Sequence, residues 1–132
     1  MKTKADVVRG WFRKGDSDLA NAKVCLAAEQ CLDTACFHAQ QAAEKYIKAY
    51  LVAYDVDFPF IHNLEKLLEL CAEKDSAFME LEELGESLTP YAVSLRYDQD
   101  FWPDKQTVEE AVEAAEKMRS SVVERLPESM RP

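Results

Sequence analysis

The chain has 132 residues, enough for one domain with a real core and too few for two. Hydrophobic residues make up 48% of it, while Gly and Pro number 3 and 5, which disfavours disorder and turn-rich β architectures. The net charge of −9 is uneven: residues 1–50 carry 8 basic and 6 acidic side chains and residues 51–132 carry 8 and 19, so duplex DNA binding is not expected and any phosphate contact must come mainly from the first half.

No apolar run approaches the ~20 residues that span a bilayer. The opening "MKTKADVVRGWFRKGDSD" has charges but no signal-type apolar run, so a soluble, cytoplasmic protein is expected. Cys25, Cys31, Cys36 and Cys71 form no C-x-x-C pair and all fall in helix-like apolar segments. They read as small hydrophobes rather than zinc ligands, and no metal or other cofactor is expected.

Helical spacing runs through the chain and strand-like alternation does not appear. A first helix is predicted from about Val7 to Glu29, with Trp11, Leu19, Ala22 and Leu26 near one face. A second runs from about Asp33 to Tyr54 and is apolar around most of its circumference, which marks it as the central helix. "DFPFIHN" is a loop that Pro59 keeps from continuing the helix, and Asn63 caps a third helix reaching about Lys74. A short amphipathic piece with Phe78, Leu81 and Leu84 is expected to stop at Gly85. Thr89 then reads as an N-cap with Pro90 at the first position of another short helix. Thr107 and Glu110 spell a capping box for the last helix, and the tail "LPESMRP" is expected to fray. The fold expected is an all-α, antiparallel, up-and-down four-helix bundle with one or two extra short helices. It forms a single domain over 1–132, with its core at about 7–124 and a tail at 125–132.

Two places invite chemistry. On the central helix His38, Gln41, Lys45 and Lys48 fall at i, i+3, i+7 and i+10 and so share one stripe. The stripe is either the solvated side of a bundle helix or a docking face for an anionic ligand. "SLRYDQDFWPD" places Arg96 near a helix end, among Asp98, Asp100 and Asp104. Arg96 suits a C-terminal cation or an anion-binding residue. The aspartates suit salt bridges, a cap for the next helix or, least well, a hydrated Mg²⁺. Tyr97, Phe101 and Trp102 are core anchors, a base-stacking surface or subunit contacts. His62, just before a helix start, is expected to make a local hydrogen bond. No P-loop, dinucleotide-binding glycine pattern or nucleophile–base pair is present.

Taken together, "WFRKGDSDLANAKVCL", "ACFHAQQAAEKYIKAYLV", "IHNLEKLLELC" and "LTPYAVSLRYD" occur in the order that resembles a HEPN domain (higher eukaryotes and prokaryotes nucleotide-binding) over roughly residues 7 to 124. The resemblance implies an antiparallel helical bundle that dimerises. It also implies a nucleotide- or RNA-related role and a minimal nucleotidyltransferase partner, in pairs that include toxin–antitoxin systems. Many members are metal-independent ribonucleases in which an Arg is followed, after four to six residues, by a His. Carried onto this chain the Arg is Arg96, but the His positions hold Phe101, Trp102 and Pro103. The expectation is therefore a non-catalytic homodimer that binds a nucleotide, RNA or a nucleotidyltransferase. Its ligand groove would be lined by Arg96, Tyr97, Asp98 and the stripe of His38, Gln41, Lys45 and Lys48. The alternatives are a ribonuclease toxin using Arg96 with a base outside the motif, and a purely structural interaction module.

Overall fold

Helix α1 (Lys4–Ala28) starts at a true capping box: the Thr3 hydroxyl accepts from the Asp6 amide, and the Asp6 carboxylate accepts from the Thr3 amide. The computed structural model describes residues 1–132 except for the side chain of Arg96. Val8, Phe12, Gly15, Leu19 and Ala22 recur along α1 at helical spacing and are buried. The helix ends in a Schellman-type turn, with the Glu29 amide bonded to the Leu26 carbonyl and the Gln30 amide to that of Cys25. Glu29 and Cys31 both take the left-handed conformation (φ 53°) without being glycine. Each costs on the order of 1 kcal/mol, and together they reverse the chain within three residues. Cys31 is thus an exposed turn residue, whereas Cys36 and Cys71 are buried as expected and all four thiols are free. Burial pushes the Cys36 thiol up to about 12.

Helix α2 (Leu32–Ala53) is the central helix that its composition announced: Ala35, Cys36, Ala39, Ala42, Ala43, Tyr46, Ile47, Ala49 and Leu51 have no exposed surface. Its alanines let neighbours approach closely on several sides. Helix α1 runs antiparallel to it, since Asp18 meets Lys45 while Trp11 meets Lys48. Helix α6 (Lys105–Arg125) also runs antiparallel to α1, from Lys105 on Glu29 at one end to the neighbourhood of Arg9 at the other. Between α2 and α3 (Leu64–Ala72) the chain is non-helical and returns along α2, so α3 begins beside Glu44 and is the exception to strict alternation. A 3-10 turn (Ser76–Leu81), α4 (Glu82–Leu88), α5 (Tyr91–Tyr97) and a last 3-10 turn (Glu128–Met130) complete an all-helical fold, with no strand among the described residues.

Several local expectations change in three dimensions. Gly85 does not stop a helix; it sits inside α4, where an added Cβ would lie 2.8 Å from Leu68 Cδ1 and 3.4 Å from Leu64 Cβ, so its bare backbone lets α4 rest on α3. Thr89 does not cap α5. Its hydroxyl donates to the Gly85 carbonyl and accepts from the Leu64 amide, which ties α4 to the start of α3. Asn63 does cap α3, accepting from the Lys66 amide. Helix α6 starts earlier than the Thr107 box implied: Asp104 is the cap, accepting from both the amide and the hydroxyl of Thr107. Those bonds hold the Asp104 carboxyl below its ordinary range. The tail is pinned rather than frayed, because Arg9 donates to the carbonyls of Ser129 and Arg131.

One joint fixes the three long helices. An added Cβ on Gly15 would stand 2.6 Å from Tyr46 Cε1, so the Tyr46 ring lies directly on α1 backbone. Its hydroxyl donates to Asp16 (2.7 Å), and Arg119 of α6 grips the same carboxylate with two bonds of 2.8 and 3.1 Å. The guanidinium also lies over the rings of Phe12 and Tyr46, at 5.6 and 5.9 Å. Partial burial opposes ionisation of Asp16, but the bonds from Arg119 and Tyr46 outweigh it and hold the carboxyl below its ordinary value.

Two outcomes follow for this joint. Gly15→Ala must displace the Tyr46 ring and should lose about 1–3 kcal/mol in a urea melt despite better helix propensity, whereas Gly10→Ala, which meets nothing within 4 Å, should gain up to ~1 kcal/mol. Asp16→Asn should lose about 1–2 kcal/mol at neutral pH, since the carboxylate is partly exposed and screened. Because the folded-state carboxyl lies below its ordinary 3.8, that contribution is complete above this value and is lost as pH falls through the lower one. The melting curves of wild type and Asp16→Asn should therefore converge in acid.

Candidate functional site

The polar stripe of α2 is only partly open to solvent, with Lys48 buried and His38, Gln41 and Lys45 half-buried. It lies along the seam with α1, where each cation meets a carboxylate. Asp18, 14% exposed, receives His38 Nδ1 (2.8 Å) on one oxygen and the Lys45 ammonium on the other. One turn further along α2, Glu44 repeats the arrangement with His62 Nδ1 (2.9 Å) on one oxygen and Lys48 Nζ (3.1 Å) on the other. Gln40 joins this second cluster, its amide donating to Glu44 and to the His62 carbonyl, and Gln41 donates to Gln40. The two histidines of the chain are thus each held through Nδ1 by a carboxylate that also holds a lysine.

Lys48 departs most from the solvated reading. It is 6% exposed, with Nζ 5.8 Å from the Trp11 ring centroid and 5.6 Å from that of Phe58. The two rings meet edge to face at 6.4 Å and roof the ammonium. Lys48 therefore anchors the seam and has no free face for a ligand. His62 also differs from expectation, because its partner is Glu44 on another helix rather than a local group. The 55–63 segment is fastened along its length, by Lys4 on Asp55 (2.7 Å), by the Phe58 ring and by His62.

The other half of the expected groove lies at the end of α5. Arg96, its central residue, has a side chain outside the described residues. Tyr97 is 77% exposed, and Asp98 uses one carboxylate oxygen to accept from the Asp100 amide. Trp102 is 75% exposed, while Phe101 stacks on Tyr91 with centroids 5.7 Å apart. Among the described residues no hydrogen bond or ion pair joins Tyr97 or Asp98 to His38, Gln41, Lys45 or Lys48. Helix α5 packs on α2, and its Tyr91 lies against the core.

Chemically, a carboxylate-held imidazole is half of a proton-transfer device, with Nε2 left over for a reacting group. Among the described residues no Ser, Thr or Cys side chain bonds to either ring, and no group of His, Cys, Asp and Glu is arranged to hold a metal ion. Asp18 and Glu44, around which both clusters are built, were not singled out in the sequence. The Glu44–Lys48 spacing of four was legible there; the pairing of Asp18 with α2 was not, because it depends on which face of α1 turns inward.

A HEPN domain model matches residues 8–126, which is nearly the whole of this seamed bundle. The chain belongs to the HEPN family. Among solved structures, TT1696 from Thermus thermophilus is similar at 27% identity and a TM-score of 0.80, over 90% of this chain and 98% of that one. ST0689, described as an archaeal HEPN homologue, shares the fold at 19% identity and a TM-score of 0.73, over 96% of this chain and the whole of that one. No curated protein matches the chain. Within this HEPN domain the α1–α2 seam is where the charged residues concentrate inside the fold, and no helix is long and apolar enough to cross a membrane among the described residues.

The Glu44 cluster makes a measurable claim about this HEPN fold. Glu44→Ala leaves the Lys48 ammonium buried without a counter-charge and releases His62, which should cost about 3 kcal/mol in a urea melt. Glu44→Ala combined with Lys48→Met should recover a substantial part, since the buried charge is then gone.

Proposed function

We propose that this HEPN protein is a non-catalytic homodimer that binds a nucleotide or RNA in a groove lined by the end of α5, which packs on α2, and by the polar stripe of α2. On this reading it acts with a minimal nucleotidyltransferase in a toxin–antitoxin-type pair. The observation that carries the binding reading is the pair of exposed rings, Tyr97 and Trp102, on either side of the aspartate turn that follows Arg96. Exposed aromatics stack bases, and an arginine in the same short stretch of sequence is a residue type that holds phosphates. The same rings, with the exposed Val93, supply an apolar surface for a two-fold contact. The non-catalytic part rests on Phe101, Trp102 and Pro103 standing where the ribonuclease motif has its His.

One observation favours the ribonuclease alternative. His38 is oriented by Asp18 through Nδ1, and no hydrogen bond engages its Nε2 among the described residues. If that imidazole is the base, RNA cleavage by purified protein must disappear in both His38→Ala and Arg96→Ala. The non-catalytic reading expects no cleavage above background in any of the three.

The binding reading is tested by thermal-shift titration with mono- and dinucleotides, alongside light scattering. Wild type should be stabilised by ligand and should scatter at twice the 15.0 kDa chain mass. Arg96→Ala should lose the ligand-induced shift with little change in its own melting temperature. Arg96→Lys should be intermediate, because lysine keeps the charge but not the planar fork. A wild type unmoved by any nucleotide refutes the binding role.

A further inference from the structure

The acidic chain carries one basic stretch that the seam does not use. Residues 1–14 hold Lys2, Lys4, Arg9, Arg13 and Lys14 against a single Asp6, while the remaining 118 residues sum to −13. Inside the seam every lysine is matched by a carboxylate; in this first stretch of the chain only some of the cations are. Lys4 is paired with Asp55, and Arg9 is turned to the carbonyls of Ser129 and Arg131. Lys2, Arg13 and Lys14 are exposed and make no ion pair or side-chain hydrogen bond among the described residues.

These cations line hollows. Gly10, Arg13, Lys14 and Ser17 fall at i, i+3, i+4 and i+7, hence on one face of α1, and border a hollow of about 370 Å³. Lys2, Asp6, Val7, Gly10, Trp11 and Lys14 border a second of about 340 Å³. The two share Gly10 and Lys14, and Gly10, whose missing side chain would meet nothing within 4 Å, leaves the floor between them open. From Lys4 to Ser17 this track is about 20 Å long. One turn beyond Lys14 comes Asp18, which holds His38 and Lys45, so the track leads onto the seam.

We propose that this face of α1 carries the phosphodiester backbone of a single-stranded polynucleotide to the seam. The inference rests on the nucleotide- or RNA-binding reading above and names the ligand as a strand rather than a mononucleotide. Unpaired cations along adjoining hollows, with the partly exposed Trp11 beside them, are what a sequence-tolerant strand binder uses. A duplex would require a broader basic surface than one helix in a chain of net −9 provides. An anionic membrane fits poorly, because Val8, Phe12, Leu19 and Ala22 of α1 are committed to the core and only Met1 and Val7 remain as apolar groups on its first turns.

The experiment is fluorescence anisotropy of a labelled 12-nucleotide single-stranded RNA against salt concentration. It compares wild type, Arg13→Ala/Lys14→Ala, Gly10→Gln and a Lys66→Ala/Lys74→Ala control that removes two exposed cations elsewhere. Each phosphate contact on a single strand contributes about 0.7 to the salt slope, so removing two should lower its magnitude by about 1.4 and weaken binding on the order of tenfold at 0.1 M salt. Gly10→Gln should weaken binding with no change of charge and an unchanged or raised melting temperature, and the control should bind as wild type. RNA binding that survives in Arg13→Ala/Lys14→Ala, or that falls equally in the control, overturns the track and leaves the ligand class standing. Arg13- and Lys14-dependent binding to phosphatidylserine vesicles with none to RNA overturns it in favour of a membrane. A wild type that binds neither mononucleotides nor this RNA overturns both readings.

Discussion

The contact on which the rest depends is the Tyr46 ring lying on the bare backbone of Gly15, with Asp16 between the Tyr46 hydroxyl and Arg119. Helix packing by apolar stripes alone allows one helix to slide past another by a turn with modest loss. Here the ring occupies a gap that exists at one residue of α1, and the carboxylate beside it is shared by α2 and α6. A slide of one turn would move the ring off Gly15 and leave Asp16, Tyr46 and Arg119 partly buried without partners. The joint therefore sets register as well as adding stability.

Register has consequences for the seam. With Gly15 under Tyr46, Asp18 is carried to Lys45 and His38, and Trp11 is carried over Lys48. The charges on α2 are thus neutralised from outside the helix, by Asp18 of α1, and from within it, by Glu44. This explains how an alanine-rich central helix can hold Gln40, Glu44 and Lys48 at 6% exposure or less. It also separates two kinds of positive charge: the lysines of the seam, which are occupied, and Lys2, Arg13 and Lys14, which are not.

Much of this was legible in one dimension. The breadth of the apolar face of α2, the Asn63 cap and the all-helical class follow from local spacing, which tertiary packing did not override. What failed was of a different kind. Thr107 and Glu110 have capping-box spacing, but Asp104 three residues earlier is a better acceptor and the helix begins there. Gly85 and Thr89 look like punctuation, yet both serve a neighbouring helix that a linear reading cannot see. The spacing puts His38, Gln41, Lys45 and Lys48 along one side of α2. Whether that face meets water or α1 is set by the Gly15–Tyr46 joint, whose signal in the sequence is a single glycine. The expected groove residue Arg96 lies outside the described side chains, so its part in any site rests on sequence and neighbours.

The non-helical segment between α2 and α3 illustrates how far side chains can replace backbone order. Phe60, 103% exposed, stands in a non-helical stretch and would look to an endoprotease like an open invitation. A protease, however, must straighten several residues on both sides of the bond it cuts. Two residues before Phe60 the chain is pinned by the Phe58 ring against Trp11 and Lys48, and two residues after it by His62 on Glu44. Cleavage at Phe60 therefore has to wait for one of those pins to release, and the rate of nicking there becomes a clock for the opening of the buried Glu44 cluster.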